Sequence, residues 1–141
     1  FNELTVMEMY EIARSRFEVF AMEQKIIQEP ELDGVDNECY QVFYMDNNRV
    51  VAYCRIVPAG IAYNNISLGR VLVLNDYRRK GLALIMIKEA LKFIKEELQE
   101  DTVVLSGQVY AKGLYESVGF KIISDVYDEV GIPHVKMKIE L

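Results

Sequence analysis

The chain has 141 residues, of which 51% are hydrophobic and 27% are charged. This balance is that of a globular protein, and the length fits one core, so residues 1 to 141 are predicted to form a single domain. The formal net charge of −6 argues against nucleic acid as the main partner, because phosphate contacts need many cations on one face. The same charge disfavours an anionic membrane surface, and no apolar run approaches the roughly 20 residues of a membrane-spanning helix.

The N-terminal part of the chain predicts one helix followed by two strands. Residues 5 to 21 form an amphipathic pattern, with apolar residues at helical spacing that are predicted to face the core. These residues are Val6, Met9, Tyr10, Ala13, Phe17 and Phe20. A loop around Pro30 and Gly34 follows. Strands are then predicted over residues 39 to 46 and 49 to 57, with a hairpin turn at Asp46-Asn47-Asn48.

The remaining elements alternate between strands and helices. A third strand (65 to 74) precedes a long helix (about 81 to 99), and a short strand (103 to 105) precedes a second helix (109 to 118) that Gly119 ends. Closing strands are predicted over residues 120 to 127 and 134 to 141. In the last of these, His134 is predicted on the polar face, opposite Val135. This order predicts an α/β protein (α+β mixed) with a central mixed sheet and helices on both faces.

The two cysteines, Cys39 and Cys54, lie in alternating apolar stretches. They do not form a CxxC pair, and no second pair exists to complete a zinc site, so no metal is expected. We therefore expect two buried free thiols and a cytoplasmic protein.

A basic turn precedes the long helix. Residues 78 to 83 read Arg-Arg-Lys-Gly-Leu-Ala, whereas the chain as a whole is acidic. The first backbone N–H groups of a helix lack internal partners and lie at the positive end of its dipole, so they can bind an anion. Gly81 and Ala83 keep side-chain bulk away from an approaching phosphate. The turn therefore predicts a phosphate site, although a solvated helix start would look similar.

Two segments around this helix resemble the landmarks of the GCN5-related N-acetyltransferase (GNAT) family. Arg78-x-x-Gly81-x-Ala83 resembles the family's Q/R-x-x-G-x-G/A signature. The segment from Gln108 to Phe120 resembles its N-x-x-A-x-x-x-Y-x-x-x-G-F signature, except that Gln108 stands where many members have Asn. The order and spacing of the two segments also fit. The resemblance implies the GNAT fold and a transferase that uses acetyl-CoA as cosubstrate and an amine as acceptor.

A narrower resemblance lies outside these landmarks. Three segments are similar to the ElaA-type branch of the family: Arg16-x-x-Val19-Phe20-x-x-Glu23-Gln24, Glu31-x-Asp33-Gly34-x-Asp36 and Gly131-Ile132-Pro133-His134-Val135-x-Met137. Resemblance to this branch does not name an acceptor.

The family resemblance implies where the cofactor binds. The pyrophosphate is expected at the basic turn, on the side chains and backbone N–H groups of Arg78, Arg79, Lys80, Gly81, Leu82, Ala83 and Leu84. The pantetheine arm is expected along the exposed edge of Val71, Leu72 and Val73, where an amide could polarise the thioester carbonyl. Gln108 is expected to contact the cofactor as well.

Three residues are candidates for proton transfer. Tyr115 occupies the family's tyrosine position and is a suitable donor to the departing thiolate, although its spacing also fits a packing role. The base is either Glu23 or His134. Glu23 follows an apolar helix, where partial burial would raise its pKa toward neutrality, as a base requires. His134 is the chain's one histidine, and histidine is the side chain whose ordinary pKa is near physiological pH. Each also has a structural interpretation. Glu23 would then form an ion pair at the helix end, and His134 would be a structural histidine of the core.

Two other functions stay open at this point. The first is a non-catalytic acyl-CoA sensor that binds the cofactor without transfer. The second is an acyltransferase like the acyl-homoserine-lactone synthases, which the acidic composition mildly disfavours. Loops 25 to 38 and 58 to 65 are expected to line the acceptor pocket, and such loops vary too freely to identify the acceptor. The oligomeric state is open as well, a homodimer included.

Overall fold

The computed structural model describes all 141 residues, which form seven strands and three α-helices around one mixed sheet. The strands are β1 (Tyr40–Asp46), β2 (Arg49–Val57), β3 (Ile66–Val73), β4 (Thr102–Gln108), β5 (Lys121–Ile122), β6 (Tyr127–Glu129) and β7 (Ile132–Glu140). The helices are α1 (Val6–Arg16), α2 (Leu82–Glu96) and α3 (Lys112–Ser117). A π-helical segment, Phe17–Glu23, continues α1. No helix of the chain combines the length and apolar character needed to cross a bilayer.

The strand order is β1-β2-β3-β4-β7-β5, and β6 also pairs with β7. Only β3 and β4 run parallel; every other pair is antiparallel. The predicted β1–β2 hairpin is present, and its turn residues Asn47 and Asn48 have φ of 50° and 60°. Asparagine tolerates this left-handed conformation, which a two-residue turn of type I′ requires at both positions.

The parallel contact between β3 and β4 is short. Only Ile66 with Val103 and Ser67 with Val104 are paired. Beyond Ser67 the two strands have no paired residues, although β3 continues to Val73 and β4 to Gln108. The sheet is therefore open between the later parts of its two central strands.

Helices cover both faces of the sheet, as predicted. On one face, α2 buries Met86, Ile87, Ala90, Leu91 and Ile94 against apolar residues of β2, β3, β4 and β7. Tyr115 of α3 and Phe120 join the same core. On the other face, Ile12, Val19 and Phe20 pack against Val51 and Tyr53 of β2 and Leu72 of β3.

The predicted buried face of the first helix is only partly confirmed. Phe20 is buried and Met9 packs against the same core, whereas Val6, Tyr10 and Phe17 are exposed.

Within α1 the buried residues are Glu11, Ile12, Ser15 and Arg16. The polar ones are paired in the interior, Ser15 with the Val50 carbonyl and Arg16 with Glu31 and Asp36. Buried polar groups persist when hydrogen bonds satisfy them, so apolar spacing alone identified only part of the buried face.

The predicted closing strand over residues 120 to 127 is interrupted. Lys121 and Ile122 pair with β7, the chain then bends, and Tyr127 pairs with β7 again at the start of β6. Ser124 causes part of this break, because its Oγ accepts a hydrogen bond from the Lys136 N–H (2.8 Å). The predicted helix over residues 109 to 118 consists of a 3-10 turn and then α3. Gly119 does end it, at a φ of 111°.

Candidate active site

A cleft of about 290 Å³ opens where β3 and β4 separate. One wall is the outer part of β3, from Ser67 to Val71, and the other is the outer part of β4, from Leu105 to Gln108. The segment between α1 and β1, the loop before β3 and the β6–β7 hairpin complete it. Parts of loops 25 to 38 and 58 to 65 line this cleft, namely Ile26, Glu29, Pro30, Glu31, Ala62 and Tyr63. That these loops bind the acceptor stays a prediction.

The β3 wall contains a β-bulge. Tyr53 is paired with Leu72, but Arg55 is paired with Gly69, so β3 has an extra residue at this point. Arg70 has a φ of 53° there. A bulge reverses the alternation of side chains along a strand. Accordingly, Leu68, Val71 and Val73 pack in the α2 core, whereas Leu72 packs in the α1 core.

The predicted cofactor edge, Val71 to Val73, can therefore offer a ligand mainly its backbone. Val71 lines the cleft, whereas Leu72 is buried and the side chain of Val73 packs against the core. On the opposite edge of β3, Leu72 and Val73 pair with Tyr53 and Ala52 of β2. Main-chain groups that point toward β4 have no strand beside them, because the β3–β4 pairing ends at Ser67.

The start of α2 has the features expected of an anion site. Its first internal hydrogen bond runs from Ile85 N–H to Gly81 O (3.1 Å), so the N–H groups of Leu82, Ala83 and Leu84 have no partner within the helix. No side chain caps the helix, and its first turn contains no acidic residue. Gly81 has a φ of 76°, and a Cβ at this position would meet nothing within 4 Å. Glycine is therefore favourable here because any other residue would be strained at this φ, and not because neighbouring atoms leave no room for a side chain.

Arg78 does not extend freely from the basic turn. Its Nε donates to the Val73 carbonyl (2.8 Å), and its two terminal nitrogens donate to the Glu23 carboxylate (2.7 and 2.9 Å). Arg78 therefore ties the turn to β3 and to the end of the π-helical segment. The free cations of the turn are the exposed Arg79 and Lys80.

Glu23 lies outside the cleft. Its side chain is 43% exposed and is held by Arg78. The expected partial burial of Glu23 is wrong, because the helix ends with this residue at the surface.

Tyr115 lies at the base of the cleft, against β4. The residue is 7% exposed, and its ring meets Phe120 edge to face at 6.0 Å. A Cβ at Gly107 would lie 3.1 Å from Tyr115 Cε2, so glycine at this position makes room for the ring. Burial raises the pKa of the Tyr115 hydroxyl, which therefore stays protonated at neutral pH.

His134 lines the opposite side of the cleft. As predicted, His134 lies on the face of β7 opposite Val135, which packs in the α2 core; it is nevertheless buried, with only 5% of the residue exposed. Its Nδ1 is 2.7 Å from the Ile132 carbonyl and its Nε2 is 3.2 Å from Glu129 Oε2. A carbonyl can only accept, so Nδ1 is the nitrogen that donates to Ile132, and Nε2 is the nitrogen that faces Glu129. Tyr127 stacks on the ring at 6.2 Å.

Ser106 connects this histidine cluster to β4. Its hydroxyl is hydrogen-bonded to the Tyr127 hydroxyl and lies 3.4 Å from Glu129 Oε2. Gln108, two residues farther along β4, lines the cleft and donates to the Gln24 side-chain carbonyl (3.0 Å). The polar groups of β4 therefore bridge the histidine cluster and the end of the π-helical segment.

A network of six charged residues beside the cleft connects the end of α1, the segment between α1 and β1, and strands β2 and β3. It consists of Arg16, Glu31, Asp33, Asp36, Arg55 and Arg70, with contacts between 2.6 and 3.5 Å. Its three positive and three negative charges balance. Hydrogen bonds from Arg55 hold the pKa of Asp33 well below its usual range.

Sequence reasoning missed Arg55, Arg70 and Ser106 as site residues. A signal was present for the arginines, because each interrupts an apolar strand, and a buried charge needs a partner. Their partners, however, are 19 to 39 residues away in the chain. Nothing in the local sequence marks Ser106.

Both cysteines are free and buried, as predicted. Burial raises the pKa of Cys54 to about 12, so this thiol is not a nucleophile at neutral pH. No group of three or more His, Cys, Asp or Glu residues is arranged to hold a metal ion.

Comparison with known proteins identifies the family. Residues 10–141 match the sequence profile described as "Acetyltransferase (GNAT) domain". The chain is a member of the GNAT family. It is 43% identical over 143 residues to the UPF0039 protein C11D3.02c of Schizosaccharomyces pombe, a match that covers 100% of this chain and 93% of that protein.

Solved structures of GNAT proteins have the same fold. Escherichia coli ElaA has a TM-score of 0.90 at 28% identity, covering 99% of this chain and 94% of that one. An acyl-CoA N-acyltransferase from Pseudomonas aeruginosa has a TM-score of 0.88 at 28% identity, covering 98% and 93%. The predicted family, ElaA-like relationship and fold are thus confirmed. This GNAT protein is an acyltransferase enzyme, and its acyl donor is a CoA thioester.

One more distant neighbour shows the fold with CoA bound. It is an aminoglycoside 6'-N-acetyltransferase complexed with coenzyme A, with a TM-score of 0.77 at 14% identity. The match covers 99% of this chain and 94% of that one.

Proposed function

We propose that this GNAT protein transfers the acetyl group of acetyl-CoA to a primary amine of a small molecule or a protein. The amine would attack the thioester directly, without an acyl-enzyme intermediate. The observation that carries this proposal is the gap between β3 and β4. This gap leaves an open strand edge beside a cleft that Tyr115 and His134 line, and α2 begins after the turn that follows β3.

The start of α2 would hold the pyrophosphate. The unpaired N–H groups of Leu82, Ala83 and Leu84 supply donors, and those of Arg79, Lys80 and Gly81 precede them in the turn. Arg79 and Lys80 add positive charge at the surface. Arg78 would act indirectly, because its contacts with Val73 and Glu23 fix the turn relative to β3.

The open edge of β3 would hold the pantetheine arm. Val71, Leu72 and Val73 lie along the gap, where an extended ligand can add as a strand through the main-chain groups that face away from β2. A backbone N–H of this edge would stabilise the negative charge that develops on the thioester oxygen. Gln108, at the end of β4, would contact the ligand from the opposite wall.

Tyr115 would protonate the departing thiolate. Because burial raises the pKa of its hydroxyl, the proton needed for this step is present throughout the neutral pH range. The proton would pass to sulfur as the carbon–sulfur bond breaks, and the same buried surroundings would raise the affinity of the thiolate for a proton.

His134 is favoured over Glu23 as the group that accepts the proton of the amine. His134 lines the cleft, whereas Glu23 is held by Arg78 outside it. The Glu129 carboxylate, 3.2 Å from Nε2, would pair with the imidazolium that forms. The proton would pass to Nε2 directly or through one water.

The first experiment tests transfer and the acid together. Purified protein is mixed with acetyl-CoA and a panel of amines, and thiol release is followed. We expect turnover in the wild type and a loss of about 100-fold or more in kcat for Tyr115→Phe, with unchanged CoA affinity. Tyr44→Phe, a half-buried tyrosine of β1 outside the cleft, is the control. CoA binding without turnover in the wild type would instead favour an acyl-CoA sensor.

A second pair of variants tests the base. We expect His134→Gln to lower kcat by about 100-fold. Glu23→Gln should change kcat much less, because it removes only a partly exposed ion pair with Arg78. A larger loss in Glu23→Gln than in His134→Gln would assign the base to Glu23.

A further inference from the structure

Arg70 occupies a strained position beside the cleft. It is the extra residue of the β3 bulge, and its φ of 53° is in the left-handed region that few residues other than glycine adopt. Such conformations persist only where surrounding interactions hold them. Arg70 also lines the cleft, next to Val71.

Glu31 holds the Arg70 side chain at two points. Arg70 Nε donates to Glu31 Oε2 (3.0 Å) and a terminal nitrogen donates to the Glu31 carbonyl (3.3 Å). Both groups of Glu31 are also bound from the other side by Arg16, whose Nε is 2.6 Å from Oε2 and whose terminal nitrogen is 2.8 Å from the carbonyl. The Arg16 side chain is completely buried. Glu31 is therefore held between a fixed arginine of α1 and the bulge of β3.

Glu31 belongs to a segment without regular secondary structure that forms the acceptor side of the cleft. We define the acceptor-side loop as residues 24 to 35; Gln24, Ile26, Glu29, Pro30 and Glu31 of this loop line the cleft. Within it, the backbone makes few hydrogen bonds to the rest of the chain, among them Ile26 N–H to the Phe20 carbonyl. Side-chain contacts must therefore fix the position of the loop.

We propose that Arg70 is a positioning residue, which clamps Glu31 and thereby fixes the acceptor-side loop relative to the β3 bulge. This proposal rests on the proposed function, in which the amine lies on the loop side of the cleft and the thioester lies along β3. The clamp would hold the two reactants in attack geometry. Small displacements of reacting groups lower rates strongly while binding of each partner can persist.

Arg49 provides a matched control. Its side chain is 26% exposed, as is that of Arg70, and it also contacts two carboxylates, those of Glu11 (3.6 Å) and Glu18 (3.3 Å). Arg49 lies at the start of β2 and does not line the cleft. Removing either guanidinium thus removes comparable ion pairs, but only Arg70 contacts the acceptor-side loop.

The experiment compares Arg70→Met with Arg49→Met by hydrogen exchange and by kinetics. Exchange of backbone amides in residues 24 to 35 requires no substrate and should be about 10-fold faster in Arg70→Met only. In the acetyl-CoA and amine assay, kcat should fall about 10- to 100-fold in Arg70→Met, with the KM for acetyl-CoA unchanged. Melting temperatures of the two variants should be similar.

The possible outcomes separate the proposals. If the loop amides of Arg70→Met exchanged at the same rate as those of the wild type, the clamp would be overturned. Faster exchange with the same kcat as Arg49→Met would overturn the positioning role. A wild-type protein that turns over no amine would count against the proposed function, while the exchange data would still decide the clamp.

Arg70→Lys tests the geometry of the contact. Lysine keeps the charge but cannot bind the Glu31 carboxylate and carbonyl through a planar fork. We expect the exchange rate of the loop amides and the kcat of Arg70→Lys to lie between the values of the wild type and those of Arg70→Met. Values no better than those of Arg70→Met would mean that both contacts are required, whereas full recovery would show that charge alone acts and would overturn the two-point clamp.

Discussion

Helices α1 and α2 lie on opposite faces of the same sheet but are held there by different interactions. The buried residues of α2 are all apolar, among them Met86, Ile87 and Ile94. Those of α1 include Glu11, Ser15 and Arg16, each with a polar partner. The α2 face is therefore stabilised mainly by removal of apolar surface from water, and the α1 face depends in addition on specific ion pairs.

The same difference divides the candidate site. On the α2 side, the proposed phosphate site consists of backbone N–H groups, which almost any sequence with the right turn can supply. On the α1 side, side chains from distant segments contact the acceptor-side loop. In the proposed function, cofactor binding would therefore depend on the backbone, whereas acceptor binding would depend on residue identity.

The largest effect is expected from removing the buried arginine of α1. Arg16→Met leaves Glu31 and Asp36 without their buried partner, and we expect a loss of about 3–5 kcal/mol in the free energy of unfolding. On the α2 side, Ile94→Ala should cost about 2–5 kcal/mol through lost packing. Urea unfolding measures both.

Arg14→Met is the control for Arg16→Met. Arg14 lies on the same helix and pairs with Glu11, but its side chain is 50% exposed. Its loss should cost less than about 1 kcal/mol. If Arg16→Met cost no more than Arg14→Met, the α1 face would not depend on its ion pairs.

An intermediate effect is expected at the phosphate site. Gly81→Val places a β-branched residue at a φ of 76°, and its Cβ lies where the phosphate would approach. We expect CoA affinity to fall about 100-fold, or roughly 2.7 kcal/mol, measured by calorimetry. Gly60→Val meets similar strain at a φ of 90°, again with nothing within 4 Å, and should leave CoA affinity unchanged. Equal affinity in both variants would refute the phosphate site.

The smallest effect is a pH dependence confined to the α1 side. The pKa of Asp33 is lowered in the folded protein by hydrogen bonds from Arg55, so its ionised form stabilises the fold. This stabilisation is complete above the unfolded-state pKa of about 3.9 and is lost as the pH falls below it. Asp33→Asn should therefore be less stable than the wild type by about 1 kcal/mol at pH 6.

The difference between Asp33→Asn and the wild type should shrink as the pH falls from 4 to 3. The corresponding difference for Ile94→Ala should stay constant over the same range, because no charge is involved. Chemical unfolding at a series of pH values measures both differences. A constant difference for Asp33→Asn would show that its pairing with Arg55 contributes little.

The elements that could be predicted from the sequence are those with local causes. The apolar stripe of α2 predicted residues 81 to 99, and the helix spans Leu82–Glu96. Asn47, Asn48 and Gly119 have the positive φ values that their turns require. In each case the determining residues are neighbours in the chain.

The features that could not be predicted depend on residues far apart in sequence. The buried face of α1 depends on partners such as Asp36, 20 residues from Arg16. Arg78 and Glu23 had separate expected roles, cofactor binding and catalysis, yet they bind each other across 55 positions. A single sequence contains no information on which of its charges meet, so pairing of this kind is visible only in the structure.

The short β3–β4 contact also divides the protein mechanically. Strands β1 to β3 and strands β4 to β7 form two half-sheets, each from a continuous stretch of chain, and two residue pairs join them directly. A ligand lying along this junction would add to the cohesion that α2 supplies by packing against strands of both half-sheets. Binding should therefore raise the melting temperature, with a rise that continues as the ligand concentration exceeds Kd, and amides flanking the junction should gain the most protection.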